Sequence, residues 1–221
     1  MTITALILAA GQSTRMGQPK MLLPWGETTV LGQVIETIQR AGIAEILVVT
    51  GGARADVESI AEKYGVRTIF NEGFASGEML SSIQVGLQEL APSALKGTSP
   101  KSAMNILDDK GDSLGGFGGG REGVLIVLGD QPQVQERSVQ AVISRFEKTE
   151  ANLIVPSYQM RRGHPWLVAS PLWGEILAMW GNESPRDFLN HHSAEIEYVN
   201  VDNPSILADL DTPDDYLKSH P

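Results

Sequence analysis

The first group of residues that could do chemistry lies in a short loop near the N-terminus, from Gly11 to Lys20. The loop follows an apolar run, contains Gly17, and carries Arg15 and Lys20, which are the only basic side chains before Arg40. In α/β proteins, an apolar strand that leads into such a loop commonly binds phosphate through backbone N–H groups. We therefore predict that this loop wraps a triphosphate and that its two cations neutralise the developing charge. A tight structural turn with a solvated cation pair is the alternative.

A carboxylate far along the chain is the second candidate. Asp130 lies two residues after Val124–Leu128, the most hydrophobic predicted strand, in the sequence Gly129-Asp130-Gln131-Pro132. A carboxylate at the carboxyl end of a buried strand is suited to bind Mg²⁺ beside a phosphate, because Mg²⁺ prefers carboxylate and phosphate oxygens. The competing interpretation is a carboxylate that caps the following helix.

Alternating strand and helix patterns must bring these residues together. The apolar residues of Thr2–Ala10 are continuous, which predicts a buried central strand. The order up to Phe70 is β-α-β-α-β with short connections, which favours a parallel sheet whose ligands bind at the carboxyl ends of the strands. The predicted strands are Thr2–Ala10, Glu45–Thr50, Val66–Phe70, Val124–Leu128, Asn152–Tyr158, a short strand after Pro165, and Ile196–Val201. The predicted helices are Thr29–Ala41, Arg54–Tyr64, a helix that follows Ser82 and ends near Leu90, Arg137–Phe146, Leu172–Trp180, Pro185–His191 and a last helix that starts at Thr212-Pro213.

One segment interrupts this pattern. Residues 92–123 are rich in serine, lysine, aspartate and glycine, and they offer too little apolar surface to offset the entropy of ordering them. We expect a disordered insertion within a single domain that spans residues 1–221. A solvated loop is favoured over a lid that covers the site.

Composition excludes several classes of protein. The chain has 221 residues, 42% of them hydrophobic, with a net charge of −10 and no cysteine. The negative charge argues against nucleic acid or an anionic membrane as the main partner, and the missing cysteines exclude disulfides and zinc-thiolate sites. The N-terminal apolar run is too short to span a membrane, so we expect a cytoplasmic protein. An acidic protein that binds an anion needs a local cationic pocket and a divalent metal.

The loop does not match two well-known phosphate-binding motifs. Gly17 is followed by Gln18-Pro19, which excludes a Walker loop, and Gly11-Gln12-Ser13 lacks the second glycine of a dinucleotide fingerprint. Leu8–Lys20 instead resembles the L-A-[AG]-G-x-[SG]-x-R-[MF]-G-x-x-K signature of nucleotidyltransferases, and within them the molybdenum-cofactor, or MobA-like, NTP transferases. The resemblance implies a three-layer, Rossmann-like α/β fold with a mostly parallel central sheet. It also implies Mg²⁺-dependent transfer of a nucleotide from an NTP to an acceptor phosphate.

The resemblance also assigns residues to the nucleotide. Thr50-Gly51-Gly52 is similar to the base-contacting turn of the family, and Asn71 with the residues up to Gly86 is similar to its segment near the base and ribose. Arg15, Lys20 and Asp130 are then the expected catalytic residues. The expected nucleotide-binding residues are Leu8, Ala9, Ala10, Gly11, Ser13, Arg15, Lys20, Thr50, Gly51, Asn71, Gly77, Ser81 and Ser82.

Further metal ligands and the acceptor site follow from two more matches. The segment from Asp209 to Pro213 resembles the closing motif of the family, which implies that Asp209, Asp211 or both join Asp130 at Mg²⁺. Both could face the site, because residues two apart on an extended segment point the same way. Capping of the last helix by Asp211 competes with this role. Arg162-Gly163-His164-Pro165 resembles the R-G-H-P segment on the acceptor side, with Arg186 as a further candidate and an orienting hydrogen bond as the alternative for His164.

The resemblance favours one branch of the family. Ala10, where guanylyltransferases usually have glycine, and the Arg-Gly-His-Pro segment are similar to the cytidylyltransferase branch. This implies CTP and molybdopterin as substrates, with a molybdoenzyme or its chaperone as a further partner. Guanylyl transfer, or transfer to a sugar or polyol phosphate, is the alternative reaction. A non-catalytic chaperone that binds the cofactor is the alternative of another class.

Overall fold

A computed structural model describes residues 1–13, 15–76, 79–91, 121–181 and 183–221. Strands and helices alternate along the chain as the sequence predicts. The strands are β1 (Thr2–Ala9), β2 (Pro24–Trp25), β3 (Thr28–Thr29), β4 (Glu45–Thr50), β5 (Arg67–Phe70), β6 (Glu122–Leu128), β7 (Leu153–Tyr158), β8 (Arg161–Arg162), β9 (Trp166–Ala169) and β10 (Glu197–Asn200). The helices are α1 (Val30–Arg40), α2 (Arg54–Lys63), α3 (Met79–Leu90), α4 (Glu136–Lys148), α5 (Trp173–Ala178), α6 (Pro185–His191) and α7 (Pro213–Ser219), with 3-10 helices at Lys20–Leu22, Glu72–Ser76, Ser170–Leu172 and Pro204–Leu207.

The central sheet is mostly parallel, as predicted. Its strands lie in the order β10-β7-β9-β6-β1-β4-β5, and the short β8 pairs with β7. The central β1 is parallel to both β4 and β6, while β9 is antiparallel to β6 and β7. The loop after β1 and the turn after β6 therefore leave the sheet side by side at one edge, which is where a doubly wound sheet binds ligands.

Two apolar clusters cover the two faces of the sheet and make three layers. Along β1, Ala5 and Ile7 pack into the cluster under α1, α2 and α4, whereas Leu6 and Leu8 pack into the cluster under α3, α5 and α6. Successive residues of a strand point to opposite faces, so a strand covered on both sides needs apolar residues throughout. The continuous apolar run of β1 has this cause. In the described part of the chain, no helix is both long and apolar enough to cross a membrane.

The predicted insertion ends earlier than its composition suggests. Residues 92–120 lie outside the described residues, but Glu122 and Gly123 already belong to β6. Gly123 serves packing here, since a Cβ at this position would lie 3.0 Å from Phe146 and Leu167 side-chain atoms. Arg121, just before the strand, lies 3.8 Å above the Phe146 ring and donates to its carbonyl at 2.6 Å. Strand β6 therefore begins two residues before the predicted start at Val124.

Candidate functional site

The loop after β1 is closed by Ser13. The Ser13 hydroxyl accepts a hydrogen bond from the Lys20 backbone N–H at 3.0 Å, and the Ser13 carbonyl accepts one from the Met16 N–H at 3.0 Å. Ser13 and Gly17 both have positive φ, of 51° and 68°. This folding of the loop directs Arg15 and Lys20 to the carboxyl edge of the sheet. Thr14 lies outside the described residues.

Lys20 lies between two carboxylates. Its Nζ is 2.5 Å from Asp130 Oδ2 and 3.3 Å from Asp211 Oδ1, and the Lys20 side chain is only 12% exposed. Burial alone would lower the pKa of Lys20, but the ion pairs with Asp130 and Asp211 outweigh it and raise the pKa above its ordinary value. Arg15 also reaches Asp211, with 3.0 Å between Nη1 and Oδ2. The predicted cations and carboxylates thus form one connected cluster.

The pairing of β1 with β6 places Asp130 beside the loop. The Gly129 N–H donates to the Leu8 carbonyl at 3.0 Å, and a Cβ on Gly129 would lie 2.9 Å from that oxygen. A side chain at this position would therefore force the two strand ends apart. Glycine before Asp130 lets the carboxylate sit next to the loop.

The C-terminal segment brings Asp209 and Asp211 to the same place. Leu210 between them is fully buried with Met16 and Trp25, and its N–H donates to the Asp130 carbonyl at 3.3 Å. Anchoring Leu210 turns the flanking side chains toward the loop, and both aspartates line the cavity there. The capping alternative for Asp211 is wrong, because the side chain of the next residue, Thr212, caps α7 by accepting from the Asp215 N–H.

The three aspartates fit a divalent cation that the substrate helps to bind. Desolvation and the nearby charges of Asp130 and Asp211 raise the pKa of Asp209, although a hydrogen bond from Gln131 to Asp209 Oδ1, 2.5 Å long, opposes this shift. Mutual repulsion of this kind is relieved by a shared cation. Within the described residues, no group of three or more His, Cys, Asp or Glu side chains is arranged to hold a metal ion by itself, so a cation here would need phosphate oxygens as further ligands. Mg²⁺ commonly takes one or two carboxylates together with substrate phosphate, so the donor set suits it.

These groups line a cavity of about 500 Å³, which we call the loop cavity. Most of the residues predicted for the nucleotide and metal reach it. They are Leu8, Ala10, Gly11, Ser13, Arg15, Lys20, Ser82, Asp130, Asp209 and Asp211. Ala9 is buried in the core instead, and Gly77 lies outside the described residues.

Other predicted nucleotide residues lie behind the wall of the loop cavity. Thr50 is fully buried, and a Cβ on Gly51 would lie 2.4 Å from the Ala10 carbonyl oxygen. The Asn71 amide donates to the hydroxyls of Ser81 and Ser82 at 2.9 and 3.0 Å. In this arrangement Thr50, Gly51 and Asn71 shape the wall, while Ser82 reaches the cavity.

The loop cavity is also lined by residues that the sequence analysis did not assign. Gln12, Phe74, Ala75 and Met79 line it, and Gln12 Nε2 donates to the Ala75 carbonyl at 3.1 Å. This bond joins the loop to the 3-10 helix Glu72–Ser76. Phe74 was the one sequence signal for these residues, because an aromatic residue in the otherwise polar segment after β5 needs a surface to pack against.

A second and larger cavity, of about 1360 Å³, lies between β7, β8, β10 and α6. We call it the arginine cavity. The three predicted acceptor residues, Arg162, His164 and Arg186, all line it, together with Arg161. Met79, the first residue of α3, lines both this cavity and the loop cavity, so the two spaces adjoin.

His164 is held in the wall of the arginine cavity by its backbone. Its N–H donates to the Ile206 carbonyl at 3.0 Å, and a Cβ on the preceding Gly163 would lie only 2.3 Å from that oxygen. Burial lowers the pKa of His164 to about 4, so the imidazole is neutral at pH 7. The orienting hydrogen bond considered for this side chain is absent among the described residues. The ring packs instead against Trp166, with 6.5 Å between centroids.

Comparisons with known proteins identify the family of the chain. The model of the MobA-like NTP transferase domain matches residues 5–196. The molybdenum cofactor cytidylyltransferase of Escherichia coli K12 is 27% identical over 97% of this chain and 94% of its own. A molybdenum cofactor guanylyltransferase of Xanthomonas euvesicatoria is 39% identical, but only over 27% of this chain and 30% of its own. The crystal structure of Rv0371C from Mycobacterium tuberculosis, in complex with manganese, has a TM-score of 0.72 and 26% identity over 100% of this chain and 98% of that one.

Proposed function

The chain belongs to the MobA-like NTP transferase family of nucleotidyltransferases, and from this premise we propose that it transfers CMP from CTP to the phosphate of molybdopterin. In this reaction an oxygen of the acceptor phosphate attacks the α-phosphorus of CTP in line. The new P–O bond forms as the bond between the α- and β-phosphates breaks, and pyrophosphate leaves. Catalysis then consists of positioning and charge stabilisation, without a covalent enzyme intermediate.

The observation that carries the proposal is the junction of two different cavities at Met79. One is lined by a phosphate-type loop, two cations and three carboxylates, which suits a nucleoside triphosphate. The other is lined by arginines and a neutral histidine, which suits an acceptor that carries an anion. A phosphate bound in the second cavity can thus approach the α-phosphate of a nucleotide bound in the first.

In the loop cavity, Lys20 and Arg15 neutralise the triphosphate. Both pair with Asp211 in the structure, and we expect phosphate oxygens to take its place when the triphosphate binds. Asp130, with Asp209 and Asp211, would hold Mg²⁺, which when bound supplies further charge neutralisation at the phosphates. Manganese in the related Rv0371C supports a divalent metal in this family.

In the arginine cavity, the arginines bind the acceptor phosphate and neutral His164 can donate one hydrogen bond and accept another. Apolar side chains of Met79, Leu80 and Trp166 line the same space. Its volume of about 1360 Å³ leaves room for an acceptor larger than a sugar or polyol phosphate. This combination favours molybdopterin over the smaller acceptors.

The choice of CTP rests on Ala10, which lines the loop cavity where nucleotide is expected, and on the named activity of the relative from Escherichia coli. The test is pyrophosphate release by the protein with each of the four NTPs, Mg²⁺ and molybdopterin. We expect release with CTP. Release with GTP alone would replace cytidylyl by guanylyl transfer.

Asp130→Ala separates an enzyme from a cofactor-binding chaperone. We expect this variant to lose both pyrophosphate release and delivery of active cofactor to a molybdoenzyme in cells. Asp202→Ala, which removes an exposed carboxylate that pairs with Arg137, is the matched control. If cofactor delivery survives in Asp130→Ala without pyrophosphate release, the chaperone function is the correct one.

A further inference from the structure

The arginine cavity contains a tyrosine that no sequence motif singled out. Tyr198 lies on the edge strand β10, lines the cavity and is 38% exposed. Its hydroxyl accepts a hydrogen bond from Arg162 Nε at 2.8 Å. The phenol oxygen is therefore an acceptor toward the protein, and its own proton remains available for a ligand.

Arg162 is held from two sides by this contact and one other. Its Nη1 donates to Asn190 Oδ1 on α6 at 2.9 Å. A guanidinium has five N–H donors in a fixed plane, so fixing Nε and one hydrogen of Nη1 sets the direction of the rest. Those other N–H groups have no partner within the described parts of the chain.

We propose that Tyr198 is an acceptor-positioning residue, which orients Arg162 and donates its own hydroxyl proton to the anionic group of the acceptor. Bonding to the guanidinium polarises the hydroxyl and makes it a stronger donor. The anion then meets two pre-oriented donors from separate elements, β8 and β10. Because the side chains are fixed before binding, little rotamer entropy is lost when the acceptor arrives.

This role rests on the proposed function, since it assumes that the acceptor phosphate occupies the arginine cavity. It goes beyond that function by adding a residue outside the Arg-Gly-His-Pro segment. It also predicts that Tyr198 acts on acceptor binding alone, because Tyr198 does not line the loop cavity.

The test is equilibrium binding of molybdopterin, without nucleotide, to the wild type, Tyr198→Phe, Arg162→Ala and the double variant. We expect Tyr198→Phe to weaken binding about tenfold, as for loss of a hydrogen bond to a charged group. The double variant should bind more weakly than Arg162→Ala, because the direct hydrogen bond from Tyr198 is also lost, but by less than the tenfold loss of Tyr198→Phe alone, since the losses at contacting residues are not additive. Tyr158→Phe, whose hydroxyl contacts Gln159 and does not line the cavity, is the control.

Steady-state kinetics should also show an effect on molybdopterin and none on CTP. We expect Tyr198→Phe to raise the KM for molybdopterin about tenfold and to leave the KM for CTP unchanged. Unchanged molybdopterin binding in Tyr198→Phe, or equal losses for both substrates, would overturn the role of Tyr198. If the wild type binds molybdopterin but transfers no nucleotide, the proposed function fails and the role of Tyr198 in binding stands. If the wild type does not bind molybdopterin, both fail.

Discussion

The two adjoining cavities differ in the charge they present to an anionic ligand. Among its described lining residues, the loop cavity has two cations, Arg15 and Lys20, and three carboxylates, Asp130, Asp209 and Asp211. The arginine cavity has three cations, Arg161, Arg162 and Arg186, and one carboxylate, Glu183. The first cavity is thus net anionic and internally paired, whereas the second is net cationic.

Under the proposed function, this difference means that the acidic protein binds its two anionic substrates by different means. The carboxylates around Lys20 repel a triphosphate until a divalent cation compensates them. The arginine cavity needs no such compensation. Nucleotide binding should therefore depend on metal, and acceptor binding should not.

The largest expected effect is that of Lys20→Met in the loop cavity. Loss of a preorganised cation at the phosphates should lower kcat about 10²–10³-fold, while molybdopterin binding stays unchanged. Pyrophosphate-release kinetics and equilibrium binding measure the two quantities. Lys63→Met, at the exposed end of α2, is the matched control. If kcat falls by less than about tenfold, Lys20 is a structural partner of Asp130 only.

The next largest effect should come from removal of divalent metal, which should weaken ligand binding in the loop cavity but not in the arginine cavity. With a chelator present, we expect CTP to bind about 100-fold more weakly, because a metal supplies several kcal/mol of charge stabilisation. Molybdopterin should bind with unchanged affinity. Isothermal titration of each ligand with and without Mg²⁺ measures this. Equal losses for both ligands would contradict the charge contrast between the cavities.

Arg186→Ala should produce a smaller change, confined to the arginine cavity. Loss of one charged donor should raise the KM for molybdopterin about tenfold and leave the KM for CTP unchanged. Arg67→Ala, an exposed arginine on the other edge of the sheet, serves as control. A raised KM for CTP in Arg186→Ala would mean that the two cavities are not separate binding sites.

The smallest expected effect concerns stability and comes from neutral His164. Its pKa in the folded protein is about 4, below the ordinary value of 6.5, so between these values the unfolded chain binds more protons. The free energy of unfolding therefore falls as the pH drops through this window. In His164→Gln the fall between about pH 7 and pH 5 should be smaller by on the order of 1 kcal/mol. Urea denaturation at both pH values measures it, and equal falls would mean that His164 is freely protonated in the fold.

The predictable part of the fold is encoded by neighbouring residues. The apolar run of β1 and the helical period of α1 are enough to predict those two elements. Gly42, just after α1, has a φ of 95°, as expected of a glycine that follows a helix. The sequence also predicts that Lys20 and Asp130 lie close together, because the carboxyl ends of parallel strands meet at one edge of the sheet.

The rest depends on contacts between distant segments. Gly123 ends a glycine-rich segment, so its neighbours in sequence predict a loop. It belongs to β6 because the side chains of Phe146 and Leu167 pack closely against it. Tyr198 became a candidate because its hydroxyl meets Arg162, 36 residues away along the chain. Patterns of period two or 3.6 carry no information about such pairs.

The fate of a label on the α-phosphate shows whether a nucleotide is transferred between the two cavities. The wild-type protein is incubated in a single turnover with α-³²P-labelled CTP, Mg²⁺ and molybdopterin, and the labelled product is identified. We predict that the label appears in a molybdopterin cytosine dinucleotide, with one unlabelled pyrophosphate released for each product molecule. Label that remains in CTP, or that is released as free CMP, would contradict transfer between the two cavities.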